Sequence, residues 1–219
     1  MQNDNVKTAG RRLFIIALAI GLMSAAAGIS IGSIVSAQRP PPMDSLLLLP
    51  EPRVLADFEL LDGQGQPFSL ERLRGRWSLL FFGFTNCPDV CPSALYDLAR
   101  MNAQLSPQGG NGEAAQRVVF VSVDPERDTP EKLSQYVAYY DPEFIGATGS
   151  HAQLAALTAQ LGIAYQIEEH DPGAENYQVA HSSSVVLVDP RGQLRGAFSA
   201  PLDADRMARD LATLMARED

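Results

Sequence analysis

From Trp77 to Phe84 the chain runs as a nearly unbroken apolar segment and then enters Thr85-Asn86-Cys87-Pro88-Asp89-Val90-Cys91-Pro92. A run of that length and character is expected of a strand buried on both faces. Beyond Pro92, a residue suited to a first helical turn, Ala94, Leu95, Leu98, Met101 and Leu105 recur at helical spacing, which predicts a helix over 93–105. The chain's only two cysteines therefore lie in a loop between a buried strand and the helix that follows it. Thiols in that position are placed for chemistry rather than for stapling the fold.

The remaining pattern is consistent with one domain around that loop. Residues 57–61 and 67–70 flank Asp62-Gly63-Gln64-Gly65-Gln66, a hairpin signal. Residues 117–123 form a second buried-strand pattern. Thr129-Pro130-Glu131 reads as an N-cap followed by proline at the first position of a helix reaching about residue 140, and Ser150 starts another through about Leu161. Strands are expected at 183–188 and 194–198 around Asp189-Pro190-Arg191-Gly192, and a last helix at 203–216. Strands alternating with helices, closed by a hairpin and a helix, predict an α/β domain with a mixed sheet flanked by helices. A thiol loop between strand and helix makes that fold thioredoxin-like.

Residues 13–37 carry no charge. As a helix they would reach roughly 37 Å at about 1.5 Å per residue, enough for a hydrocarbon core of about 30 Å. Lys7, Arg11 and Arg12 precede the run, so residues 1–12 are expected to stay in the cytoplasm and the rest to cross. The expected plan is thus a tail at 1–12, a transmembrane helix at 13–37, a Pro-rich linker at 38–53 containing Pro40-Pro41-Pro42, and a folded domain at 54–217. Val35-Ser36-Ala37 is also compatible with signal cleavage, although the apolar run exceeds the usual signal core of about 7–15 residues. Either way the domain works outside the cytoplasm: in a single-pass protein of the inner, cytoplasmic-type membrane it would face the periplasm or an equivalent space.

Of 17 basic and 26 acidic residues, the first twelve positions hold three and one, leaving a formal charge of −11 on the remainder. That argues against a nucleic-acid or anionic-lipid partner, each of which requires a basic face.

Three uses of the thiols compete. A structural disulfide closing so small a ring contributes only roughly 2 kcal/mol. A thiol-disulfide oxidoreductase needs Cys87 and Cys91, although thioredoxin-type pairs usually have two intervening residues and this pair has three. A metal site gains from the wider loop, which lets two sulfurs converge on a soft ion, Cu(I) above all, with Zn(II) as a second fit. Such a site wants a third ligand. His151 sits at a helix start and reads as a surface or capping residue; His170, in Glu168-Glu169-His170-Asp171, reads as a solvated imidazole. His181 enters the strand at 183–188, and in a thioredoxin-like sheet that segment faces the cysteine loop.

The segments Gly83-Phe84-Thr85-Asn86-Cys87-Pro88-Asp89-Val90-Cys91-Pro92, Val121-Ser122-Val123-Asp124-Pro125-Glu126-Arg127-Asp128-Thr129-Pro130-Glu131 and His181-Ser182 resemble the Sco/SenC family, in order and spacing, over roughly residues 54–214. The family consists of membrane-tethered, thioredoxin-like copper chaperones for the CuA centre of cytochrome c oxidase. The resemblance implies Cys87, Cys91 and His181 as ligands to copper, as Cu(I) and also Cu(II). It implies subunit II of the oxidase, or another exported copper protein, as partner. The oxidoreductase alternative implies a redox disulfide between Cys87 and Cys91 and a partner protein that supplies reducing thiols. A peroxidase of related fold is a third reading. Asp89, Asp124 and Asp128 are family-typical, Asp124 as a residue near the site and Asp128 as a helix starter. Ala180 departs from the family, which commonly has aspartate before the histidine; that places Cu(II) affinity and partner choice in question more than Cu(I) binding.

Overall fold

The computed structural model describes residues 43–106 and 115–218. The expected tail, the apolar run at 13–37 and residues 38–42 of the linker lie outside the described residues. Among the described residues no helix is long and apolar enough to cross a membrane.

Among the described residues, ten strands and five helices follow one another as β1 (Leu46–Val54), β2 (Glu59–Asp62), β3 (Pro67–Ser69), α1 (Leu70–Leu73), β4 (Trp77–Gly83), α2 (Val90–Leu105), β5 (Gln116–Ser122), α3 (Pro130–Ala138), β6 (Ile145–Thr148), α4 (His151–Leu161), β7 (Tyr165–Ile167), β8 (Val179–His181), β9 (Val185–Val188), β10 (Gln193–Phe198) and α5 (Ala204–Glu218). Eight of the strands form one sheet in the order β1-β10-β9-β4-β5-β6-β2-β3, while β7 and β8 pair separately. The mixed sheet flanked by helices is the expected one.

Every residue of β4 is buried, and so is every residue of β5 except Arg117. The two run parallel in register from Trp77 opposite Gln116 to Gly83 opposite Ser122, and β9 flanks β4 on its other side antiparallel. Phe81, Phe82 and Phe120 are fully buried. Each contributes about 1.5–3 kcal/mol of burial, so the strand that delivers the cysteine loop is anchored in the best-packed part of the molecule. On α2 the apolar stripe Ala94, Leu95, Leu98 and Met101 is buried, and the helix packs on β5 and α5. Asn102 ends that stripe with a polar link, donating to Asp141 at 2.8 Å and accepting from Gln116 at 3.0 Å.

The caps follow the sequence. Thr129 Oγ1 accepts from Lys132 N at the start of α3, and Ser150 Oγ accepts from Gln153 N at the start of α4. Gly162 ends α4 in the left-handed region at φ 72°, where glycine carries no Cβ penalty.

The domain begins earlier than its expected boundary at residue 54. Leu46–Val54 is already a strand, paired with β10 across a bulge between Leu48 and Arg53. Asp210 on α5 holds its start, accepting from Ser45 N at 2.7 Å, Ser45 Oγ at 2.6 Å and Leu46 N at 3.1 Å. This segment contains Pro50 and Pro52, yet an edge strand tolerates proline because one row of its backbone donors needs no partner. A second difference concerns α2, which starts at Val90 and so carries Cys91 in its first turn.

Candidate metal centre

The site forms where β4 ends. Cys87 sits in the loop, its backbone N–H donating to the Phe84 carbonyl at 3.2 Å. Cys91, one residue into α2, donates its backbone N–H to Cys87 Sγ at 3.4 Å. Both cysteines are free thiols and both are buried. Burial, more than any neighbour, pushes the Cys91 thiol well above the ordinary thiol range, with Cys87 adding to the rise. Cys91 therefore holds its proton until something displaces it.

Gly83 makes room for that sulfur. A Cβ there would lie 2.6 Å from Cys91 Sγ and 2.9 Å from a Phe120 ring carbon. Nothing but hydrogen fits at this position.

His181 closes the site from the end of β8. Its Nε2 lies 3.4 Å from Cys91 Sγ, and its Nδ1 lies 3.0 Å from the Ser182 carbonyl oxygen. A carbonyl only accepts, so Nδ1 donates to it and Nε2 presents its lone pair to the sulfur. Phe81 and Phe84 meet the imidazole edge-on, with ring centroids 6.2 and 5.9 Å away. One ligating atom each from Cys87, Cys91 and His181 lie within 4.8 Å of one another, the one such trio among the described His, Cys, Asp and Glu residues. Two sulfurs and one imidazole nitrogen are a soft donor set that suits a monovalent or borderline metal at low coordination number.

Two buried acids wire the surroundings together. Asp128, fully buried, accepts from Thr85 N at 2.8 Å, from the Thr85 hydroxyl and from Ser122 Oγ at 2.6 Å, and pairs with Lys132 at 3.3 Å. It thereby pins the cysteine loop to the end of β5, a larger part than starting a helix. Asp124 accepts from Arg127 Nε and from the Tyr177 hydroxyl, both at 2.5 Å. Burial first, then the Asp124 carboxylate, push the Tyr177 phenol up, so it remains a donor. The Arg127 guanidinium lies over the Tyr177 ring at 3.6 Å and donates to the carbonyls of Glu175 and Tyr177 at 2.9 and 3.0 Å. Arg127 also covers Phe84 at 5.5 Å. The clamp fixes Tyr177, four residues before His181, against the turn that follows β5.

The sequence does not single out Gly83, Thr85, Arg127 or Tyr177. Only Arg127, between Asp124 and Asp128, carries a local sign of pairing. Asp89 stands at the N-cap of α2 with no side-chain cap bond, and it is exposed. Ala180 is exposed in β8 beside His181. His151 and His170 are both away from the thiols, on Glu126.

A thioredoxin-like domain with a dithiol and an imidazole converging at the end of its central strand defines a class of metal-binding, thiol-bearing proteins. The chain belongs to the SCO1/SenC family, whose model matches residues 49–216. A Stutzerimonas stutzeri protein provisionally named as copper-binding is 42% identical over 174 residues, 80% of this chain and 83% of that protein. The crystal structure of Arabidopsis thaliana ScoI with copper bound superposes with a TM-score of 0.66 at 30% identity, covering 75% of this chain and 98% of that one. BsSco, described with a disulfide switch as a member of the Sco family of cytochrome c oxidase assembly proteins, aligns with a TM-score of 0.59 at 25% identity over 78% of this chain and 98% of its own.

Proposed function

We propose that the protein is a membrane-anchored copper chaperone that holds one copper ion on Cys87, Cys91 and His181 and delivers it to the CuA site of cytochrome c oxidase subunit II. The observation that carries this reading is the convergence of the three ligating atoms within 4.8 Å, with His181 Nε2 facing Cys91 Sγ at 3.4 Å. Copper in the Arabidopsis relative and the oxidase-assembly description of BsSco support cargo and client. Cu(I) fits two thiolates and an imidazole; Cu(II) is the second state, held less well here for want of a carboxylate at Ala180.

Delivery proceeds by ligand exchange. A three-coordinate ion leaves a side open for an incoming sulfur before Cys87 or Cys91 lets go. The ion takes the place of the Cys91 proton, and when it leaves the thiol recovers a proton from solvent. The apolar run at 13–37 serves as the anchor, and the domain faces the periplasm or its equivalent. The deciding experiment mixes the Cu(I)-loaded chain with the soluble CuA domain of subunit II, cysteines reduced. Copper moving to the acceptor supports the assignment; copper retained at equilibrium with excess reduced acceptor refutes this client.

A second reading has its own support in the two free thiols of the loop. As a thiol-disulfide oxidoreductase the protein would reduce the acceptor's cysteines, forming a Cys87–Cys91 disulfide in exchange. That activity requires both cysteines and is untouched by His181→Ala, whereas the same change weakens copper binding. A reduction potential too low for the available thiol donor to restore the dithiol would exclude turnover.

A further inference from the structure

A cleft of about 200 Å³ opens beside the thiol loop, between the outward face of α2 and the loops that follow β8 and β10. Asp89, Val90, Ala94 and Asp97 line one wall, and Ser183 and Leu202 stand on the other. In sequence, Asp89 and Val90 fall between the two cysteines, and Ser183 lies two residues beyond His181. The cleft therefore borders the segments that carry all three proposed ligands. An acceptor sulfur that reaches the ion brings the residues flanking it within reach of these walls.

The lining is apolar in the middle and acidic towards the ends. Val90 is 44% exposed in a domain that buries most of its large apolar side chains, and Ala94 and Leu202 continue the apolar strip. Asp89 makes no capping bond to α2. Among the described residues Asp97 accepts no hydrogen bond and closes no ion pair. Burial pushes its carboxyl up, and Asp203 adds to the rise against the opposing pull of Arg100. Arg100 itself is paired with Asp205 at 3.6 Å, and Arg206 with Asp203 at 3.7 Å. The cleft thus carries negative charge that the chain's own cations leave uncompensated.

Two kinds of occupant fit poorly. A small molecule needs more room, since such sites usually enclose about 300–1,000 Å³. A metal ion needs converging donors, and the one converging trio among the described residues is Cys87, Cys91 and His181. A protein segment fits both the shape and the charge. Asp89 and Asp97 are about 12 Å apart along the chain's helical rise of roughly 1.5 Å per residue. In an extended segment, residues four apart are separated by about 13 Å.

We infer that this cleft is the docking groove for the copper acceptor and takes an extended basic segment of it. One apolar side chain of that segment seats against Val90, Ala94 and Leu202, while a lysine or arginine at each end reaches Asp89 and Asp97. The inference rests on the chaperone reading for what the partner collects. The formal charge of −11 beyond residue 12 draws such a segment in from a distance.

Two measurements on the full chain in nonionic detergent test the groove. The first titrates the isotope-labelled chain with a capped pentapeptide bearing lysine at both ends and leucine at its centre, read by amide chemical shifts. Shifts centred on Val90, Ser93, Ala94 and Leu202 are expected, with affinity lowered roughly fivefold in the double variant Asp89→Asn, Asp97→Asn. Shifts elsewhere, or unchanged affinity in the variant, overturn the groove. The second follows Cu(I) transfer to the reduced soluble CuA domain at low and high salt. Salt should slow the wild type; the double variant should transfer roughly tenfold more slowly at low salt and lose most of that salt dependence, with Cu(I) affinity against a chelator unchanged. Equal transfer rates for variant and wild type overturn the inference. A wild-type chain that binds Cu(I) yet passes none to this acceptor refutes the client alone, and the peptide titration still decides the groove.

Discussion

Cys87 and Cys91 follow a strand whose seven residues are all buried, whereas His181 ends a three-residue strand paired with another of three residues. Core packing, Gly83 and the buried Asp128 network set the positions of the sulfurs. The imidazole depends on a polar clamp of Asp124, Arg127 and Tyr177, outside the main sheet. Packed cores resist displacement, while short paired segments with few buried contacts open at lower cost. Release from the imidazole side therefore needs no disruption of the core, and the thiols can retain the ion until an acceptor sulfur arrives.

The largest expected effect comes from removing a sulfur. Four-ligand thiolate and imidazole sites bind with about 10–16 kcal/mol, on the order of 3 kcal/mol per ligand. Cys87→Ser or Cys91→Ser should therefore lower Cu(I) affinity about a hundredfold or more in chelator competition, and His181→Ala by less. Equal losses from all three would erase the contrast between firm sulfurs and an adjustable imidazole.

Next in size is pH. Burial keeps Cys91 protonated, so binding must expel that proton, and apparent Cu(I) affinity should climb with pH by about tenfold per unit for each proton released. A flat profile between pH 6 and 8 would show that Cys91 is already ionised.

Gly83→Ala presses a methyl group into Cys91 Sγ and should cost about 1–3 kcal/mol in chemical denaturation, with copper affinity falling alongside. If stability falls but affinity holds, the cysteine loop adjusts as readily as the histidine strand. Tyr177→Phe is expected to have the smallest effect on the metal. It deprives the buried Asp124 of a donor, destabilising by about 1–3 kcal/mol, and should lower Cu(I) affinity less than His181→Ala does.

The same contrast governs what the sequence reveals. The cysteine half is local: a buried strand, a four-residue interval and a helix stripe lie within thirty residues, and their patterns announce them. Thr129 and Ser150 likewise cap the helices they precede. His181 was legible only through the geometry of the fold and the resemblance to a family, because a single histidine has no periodicity. Strands β7 and β8, at three residues each, and β6 at four are too short to produce a pattern. Strand β1 hides behind Pro50 and Pro52 in what reads as linker, and its partner β10 is about 150 residues away. The clamp was illegible for the same reason: Tyr177 meets Asp124 over 53 residues, and no short-range rule links them. His151 and His170 read as isolated surface residues until the fold brought both to Glu126.

X-ray absorption of the Cu(I)-loaded full chain, compared with its His181→Ala variant, tests the proposed centre most directly. Two sulfurs and one nitrogen around copper in the wild type, with the nitrogen lost and both sulfurs retained in the variant, is the expected result. A wild-type spectrum with sulfur ligands alone, or one unaltered by His181→Ala, would contradict the assignment of His181 as the third ligand.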